Sequence, residues 1–318
     1  MKPGRQRFWK RVRRRLREPL VLGGLAAGSA LVPRLSRRAV IRLSGCLGAL
    51  VRAADITGRR VARANLGVLF GPRLSPRRRR LLVAGAYRQA ALVALDGFWF
   101  GRDTRARVGR WLTIAPALRE AVAAARPALV VTAHYGNWEM TMLGGGYMGL
   151  PLVGVVKPQW SAKVTERLNR LRCALGVRVV FAEGALRVLL RELRAGSVAG
   201  LLIDQHTPEE QGGVWVDFGG LPAAVSKGVA VLARHTGAPV YLAFCRARRD
   251  GRFLVSGSEA LRPRPDEDDA AFTQRIANGI VRAIRRHPSQ WMVMYKRWEA
   301  IAPGADPGRY PFYARPSP

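Results

Sequence analysis

A chain of 318 residues, 48% of them hydrophobic, can bury a sizeable core as one large α/β domain or as one domain with a helical appendage, and its 34 Gly and 20 Pro are too scattered for a collagen-like or low-complexity chain. Lys and Arg total 54 against 21 Asp and Glu, a formal net charge of +33. A soluble enzyme acting on a small neutral substrate has no need of such a field, which draws polyanions: nucleic acid, anionic lipid head groups or an acidic protein. The three cysteines, Cys46, Cys173 and Cys245, form no C-x-x-C pair. They argue against a disulfide framework and a zinc site, and a reducing compartment is the expectation.

The chain opens on a basic arm, residues 2–17, followed by an apolar stretch from Pro19 to Pro33. The layout imitates a secretory signal peptide. However, the basic run is long, and Arg34, Arg37 and Arg38 follow without a polar cleavage zone. The apolar run is short and Gly-rich against the roughly 20 residues of a bilayer span. The reading is an interfacial anchor on the cytoplasmic side of a membrane, with Phe8 and Trp9 at the lipid interface.

From Leu35 to about Arg126 apolar positions recur at helical spacing, as at Val40, Leu43, Leu47 and Leu50. Ser75-Pro76 starts a further helix that closes at Trp99-Phe100, and its run Arg77 to Arg80 reads as a solvated basic face. After Pro127 the texture changes. Short apolar runs at 128–133, 152–156, 198–203 and 240–245 read as buried strands. Helical stretches are expected at 162–175, 185–195 and 226–236. Alternating strands and helices predict an α/β fold, a mainly parallel central sheet flanked by helices, with ligands off the carboxyl ends of the strands. The expected organisation is an arm and anchor over 1–33, a helical region over 34–126 and an α/β catalytic region over 127–318, with 34–318 forming one domain.

The chemistry-bearing segment is His134-Tyr-Gly-Asn-Trp-Glu139. His134 follows a predicted strand, Tyr135-Gly136 makes a turn, Asn137 is a helix N-cap, and Glu139 falls in the first helical turn. Such a turn can bring ring and carboxylate into one pocket. The His would then act as general base on a hydroxyl, and the carboxylate would fix its tautomer. A strand-end His and a helix-start Glu are also compatible with purely structural roles. The other histidines, His206, His235 and His287, form no H-x-H or H-E-x-x-H pattern, and there is no G-x-S-x-G elbow. Among familiar catalytic layouts this one remains.

The motif H-x4-E in the form HYGNWE resembles the bacterial lipid A biosynthesis acyltransferase family, the late lauroyl and myristoyl transferases, within the lysophospholipid acyltransferase group. Arg59 to Leu66 is similar to that family's R-x-A-x-x-N-L block, and Leu202-Ile-Asp-Gln205 to its strand ending in Asp-Gln. Val214 to Ala224, Ala230 to Pro239 and Gln290 to Trp298 are similar to three later blocks, in family order. The resemblance implies a glycerolipid-acyltransferase-like fold with a membrane-associated N-terminal helical region. It makes His134 the general base and Glu139 its catalytic partner, and it implies Asn137, Lys157, Asp204 and Gln205 as substrate-binding or supporting groups. Lys157-Pro158 stands where the family reads Arg-Pro, so the charge is kept without the planar two-bond grip on phosphate. No metal and no cofactor are implied. The implied partners are acyl carrier protein or acyl-CoA as donor, an anionic glycolipid acceptor (a lipid A precursor) and the inner membrane surface, with no specific nucleic acid. The alternative is an acyl-CoA-dependent enzyme acting on another membrane glycolipid, such as a phosphatidylinositol mannoside. A basic nucleic-acid-binding protein is a rival without a recognised module behind it.

Overall fold

The computed structural model describes residues 19, 21–159 and 161–316. The basic arm with Phe8 and Trp9, and Trp160 beside the Lys157 block, lie outside the described residues.

Four helices lead the described chain. The short apolar helix α1 (Val21–Arg34) leaves Val21 and Leu31 exposed. Helix α2 (Arg37–Ala54) starts where the Ser36 hydroxyl accepts the Ala39 N–H, α3 (Ile56–Phe70) where Asp55 accepts the Gly58 N–H, and α4 (Pro76–Trp99) where Ser75 accepts the Arg78 N–H. Helices α2 and α4 pack closely at Gly48, where a Cβ would come within 2.7 Å of the Arg88 Cα. By length and composition α4 is able to cross a membrane. Its burial of Val83, Tyr87, Leu92, Leu95 and Trp99 makes it instead a core helix.

Next come α5 (Thr104–Trp111), β1 (Leu112–Ile114) and α6 (Pro116–Ala124). The region expected to be wholly helical thus contains a strand. Three residues are too few for a period to show. The remaining elements are β2 (Ala128–Thr132), α7 (Trp138–Tyr147), β3 (Leu152–Val156), α8 (Ala162–Arg172), β4 (Arg178–Phe181), α9 (Ala185–Arg194) and β5 (Val198–Leu202). A hairpin of β6 (Gly213–Asp217) and β7 (Pro222–Ser226) follows, then α10 (Gly228–Thr236), β8 (Val240–Ala247), β9 (Phe253–Gly257) and α11 (Asp269–Arg286). Ser226 ends β7 rather than opening a helix.

The main sheet has the order β1-β9-β8-β2-β5-β3-β4 and is parallel throughout except for the β8–β9 pair. The four expected strands are present, and β1, β4 and β9 extend the sheet at its edges. Strand β2 sits between β8 and β5 and is covered on both faces. Leu129 and Val131 pack with α10 and α11, while Ala128 and Val130 pack with α4 and α7. That is why it reads as an unbroken apolar run. The carboxyl ends of β2, β5 and β3, three adjacent strands, carry His134, Asp204 and Lys157 just beyond them.

Candidate active site

The turn after β2 is fixed on every side. Gly136 has φ of +57°, and a Cβ there would fall 1.7 Å from the carbonyl oxygen of Cys245, so the position admits only glycine. Its N–H donates to the Gln290 carbonyl at 2.7 Å, the Asn137 N–H donates to the Cys245 carbonyl at 3.0 Å, and the His134 carbonyl accepts the Met292 N–H at 2.9 Å. The segment around Trp291 is pinned in turn by Asn65, whose buried amide donates to the carbonyls of Val293 and Tyr295 at 2.9 and 2.6 Å. The Asn-Leu block of α3 and the closing Trp block therefore act together, as a frame for the turn.

His134 Nδ1 lies 2.8 Å from Asp204 Oδ1, and the His134 main-chain N–H donates to Oδ2 at 3.0 Å. The Trp291 indole N–H donates to that same Oδ2 at 2.9 Å. Burial raises the Asp204 pKa, but the His134 ring, the Trp291 indole and the His134 amide outweigh it and hold the carboxyl below the usual aspartate range. An ionised Asp204 accepts the Nδ1 proton, which leaves Nε2 as the ring nitrogen with a free lone pair. The ring, 19% exposed, meets Trp138 edge to face at 4.9 Å.

Glu139 is not the carboxylate on this ring. Its two oxygens receive the Arg172 guanidinium of α8 at 2.9 and 2.6 Å. The expectation that Glu139 orients His134 fails because the first turn of α7 points it toward α8, while the end of β5 places Asp204 beneath the imidazole. Asp204, expected among the substrate-binding or supporting groups, is 3% exposed and faces the His134 ring. Asn137, 1% exposed, likewise faces inward. Its side-chain oxygen accepts the Met140 N–H and its amide donates to Asp96 Oδ2 at 2.9 Å. Asp96 is ion-paired with Arg37. The Arg37 guanidinium lies among the rings of Trp99, Phe100, Trp111 and Phe253, 5.1–5.9 Å from their centroids. Burial pushes the Asp96 pKa up against the pull of Arg37 and Asn137.

His134, Glu139, Arg172, Lys157 and Gln205 line one cleft of about 1030 Å³. It continues into an apolar passage past Met142, Leu152, Val130, Ile114, Leu118 and Val255. Gly154 and Gly200 are register partners on β3 and β5, and Gly200 also pairs with Val130 of β2. A Cβ at Gly154 would fall 2.7 Å from the Met142 sulfur, so glycine there makes room for Met142, which itself lines the cleft. Lys157 and Gln205 both line the cleft. Sequence reasoning missed Arg172, Asp96, Trp291 and His206. Arg172 carries no mark in a chain with 54 Lys and Arg. Trp291 lay in a quoted block but had no role until its indole was seen on Asp204.

Fold and site together define an α/β protein in which a carboxylate-backed histidine faces a long apolar cleft. The chain belongs to the bacterial lipid A biosynthesis acyltransferase family, whose sequence pattern matches residues 10–300. It is similar to the phosphatidylinositol mannoside acyltransferase of Mycobacterium tuberculosis, strain CDC 1551, 28% identical over 189 residues, which are 58% of each chain. The protein of the same name from strain H37Rv gives the same figures. That of Mycolicibacterium smegmatis is 27% identical over 187 residues, 58% of this chain and 60% of its own. The chain thus matches about three-fifths of the length of these relatives.

Proposed function

We propose that this protein transfers a fatty acyl chain from a thioester donor to a hydroxyl group of an anionic membrane glycolipid. The observation that carries the reading is the His134–Asp204 pair at the head of an apolar passage: a general base beside space for a hydrocarbon chain. Asp204 holds the proton on Nδ1, and Nε2 removes the proton of the acceptor hydroxyl as its oxygen attacks the thioester carbonyl. The tetrahedral intermediate collapses with loss of the thiolate, which takes the proton from His134. A thioester is already activated, so no covalent enzyme intermediate is required. Asp204 takes the orienting role, and Glu139 and Arg172 brace α7 against α8 beside the reacting groups.

The family pattern supports a lipid A precursor as acceptor, for which acyl carrier protein is the proposed donor. The names of the relatives, together with Lys157 in place of an arginine, support a phosphatidylinositol mannoside as acceptor, with acyl-CoA as the alternative donor. Both acceptors are anionic sugar lipids, and both donors are anionic, so a chain of net charge +33 attracts either pair. Exposed Leu31, Leu35, Leu43, Leu50, Val51 and Ile56, on and beside α1–α3, support docking on the membrane surface.

The test is acyl transfer in mixed micelles, with each donor against each acceptor and the product weighed by mass spectrometry. The expected product is heavier than the acceptor by one acyl chain. His134→Ala is expected to abolish it while circular dichroism and membrane association stay unchanged. Near-normal turnover in that variant would sink the reading.

A further inference from the structure

Past Asp204 the chain lines the cleft with neutral polar groups. Gln205, His206, Thr207 and Gln211 all face it, with Lys227 as the cation beside them. His206 is the most constrained. Its main-chain N–H donates to the Tyr295 hydroxyl at 3.3 Å, and its neighbour Asp204 is locked under His134. The ring is half-buried, and among the described residues its nitrogens bond no protein group. Burial, and then the buried Arg297 cation, hold its pKa below the ordinary histidine value, so the imidazole is neutral at pH 7 and offers one donor and one acceptor. A half-buried ring with both functions unused is costly unless water or ligand completes them.

The chemistry that fits this wall is a polyol. Each sugar hydroxyl both donates and accepts, as do a neutral imidazole, a carboxamide and a threonine hydroxyl. A phosphate would instead seek the cations at Lys157 and Lys227. His134 is already committed through Nδ1, so His206 has no part in the proton transfer derived above.

We propose that His206, with Gln205 and Thr207, forms the contact that binds the acceptor's sugar hydroxyls, which makes His206 a specificity-determining residue for a carbohydrate-bearing lipid. This rests on the acyl-transfer reading. The experiment compares wild type with His206→Ala and His206→Gln. Phosphatidylinositol mannoside is the acceptor probe, phosphatidic acid, which has the phosphate but no head-group polyol, its control and palmitoyl-CoA the donor. Hydrolysis of palmitoyl-CoA without acceptor reports donor binding and the His134–Asp204 pair alone. Affinity for micelles of each lipid, measured without donor, reports the contact whether or not turnover occurs.

The expected result is a rise of about tenfold or more in acceptor KM and Kd for His206→Ala, with kcat and donor hydrolysis within about twofold. His206→Gln, which keeps a donor and an acceptor, is expected to recover most of the affinity. Affinity for phosphatidic acid is expected to move less than that for the mannoside. Unchanged mannoside affinity in His206→Ala, equal losses for both lipids, or a parallel fall in donor hydrolysis would each overturn the assignment. Mannoside-dependent affinity at His206 with no acyl transfer by the wild type would uphold the contact while removing the acyltransferase reading.

Discussion

Two buried aspartates hold the turn 134–139 from opposite ends, and they do different work. Asp204 lies under the histidine and accepts from an imidazole, an indole and a main-chain N–H. Asp96 lies under Asn137 and accepts from an arginine and a carboxamide. Both are almost wholly shielded from water, at 3% and 2% exposure. Their pKa values nevertheless move apart, Asp204 below the usual range and Asp96 above it. The partner of Asp204 is a ring whose open nitrogen faces a cleft, so its proton count can change during a reaction. The partners of Asp96 are a guanidinium enclosed among aromatic rings and a buried carboxamide, neither of which exchanges a proton near neutrality. On the acyl-transfer reading proposed above, equal burial serves chemistry on one side and architecture on the other.

The sharpest way to break this comparison is Asp204→Asn, which keeps the shape but removes the acceptor that sets the imidazole tautomer. A fall in kcat of about 10³-fold is expected, with little change in acceptor KM. A loss confined to KM would assign Asp204 to substrate binding and dissolve the contrast. Asp96→Ala is the counterpart. It leaves Arg37 buried without its carboxylate, which costs about 3–5 kcal/mol in stability. Urea unfolding measures this directly. The protein that remains folded is expected to keep much of its turnover, and a catalytic collapse in fully folded Asp96→Ala would show that the two aspartates are not separable.

Glu139 tests the same division at smaller amplitude. Held by Arg172 and 18% exposed on the cleft wall, it braces α7 on α8 beside the reacting groups. Glu139→Ala is expected to slow transfer by about 10- to 100-fold, from misplacement of the turn and not from loss of the base, and to raise acceptor KM less than it lowers kcat. The reverse ratio, read from steady-state kinetics, would make Glu139 a substrate ligand.

The parallel strands were legible in the sequence because burial on both faces leaves a continuous apolar run, as in Ala128–Thr132 and Val198–Leu202. The helix caps at Ser75 and Asn137 were legible for the same local reason. The edge strands were not, since Leu112–Ile114 is too short to have a period and Arg178–Phe181 opens on a charge. In the site, position after a strand singled out His134, and the family resemblance pointed separately to Asp204. Their pairing was beyond sequence reading, because it depends on β2 and β5 being neighbours, a long-range fact. Spacing favoured the nearer acid, Glu139, and the sheet order reassigned that place to Asp204. Asp96 gave no signal at all: its role comes from α4 crossing beneath a turn some forty residues later.

The smallest effect is also the most diagnostic, because the two aspartates carry opposite pH signs. A carboxyl whose pKa is depressed in the folded state stabilises above its ordinary value, and that contribution is lost as pH falls through the depressed value. This is Asp204. The stability difference between wild type and Asp204→Asn is therefore expected to favour wild type most near neutrality and to shrink toward acid. A carboxyl whose pKa is raised binds its proton more tightly when folded, so its contribution falls as pH rises from the ordinary value through the raised one. This is Asp96, and wild type measured against Asp96→Asn is expected to lose ground over that window. Urea titrations of the three proteins across the acidic range would give two difference curves of opposite slope. Parallel slopes would mean that Arg37 dominates Asp96 as His134 dominates Asp204, and that the turn is held by two charged pairs of one kind.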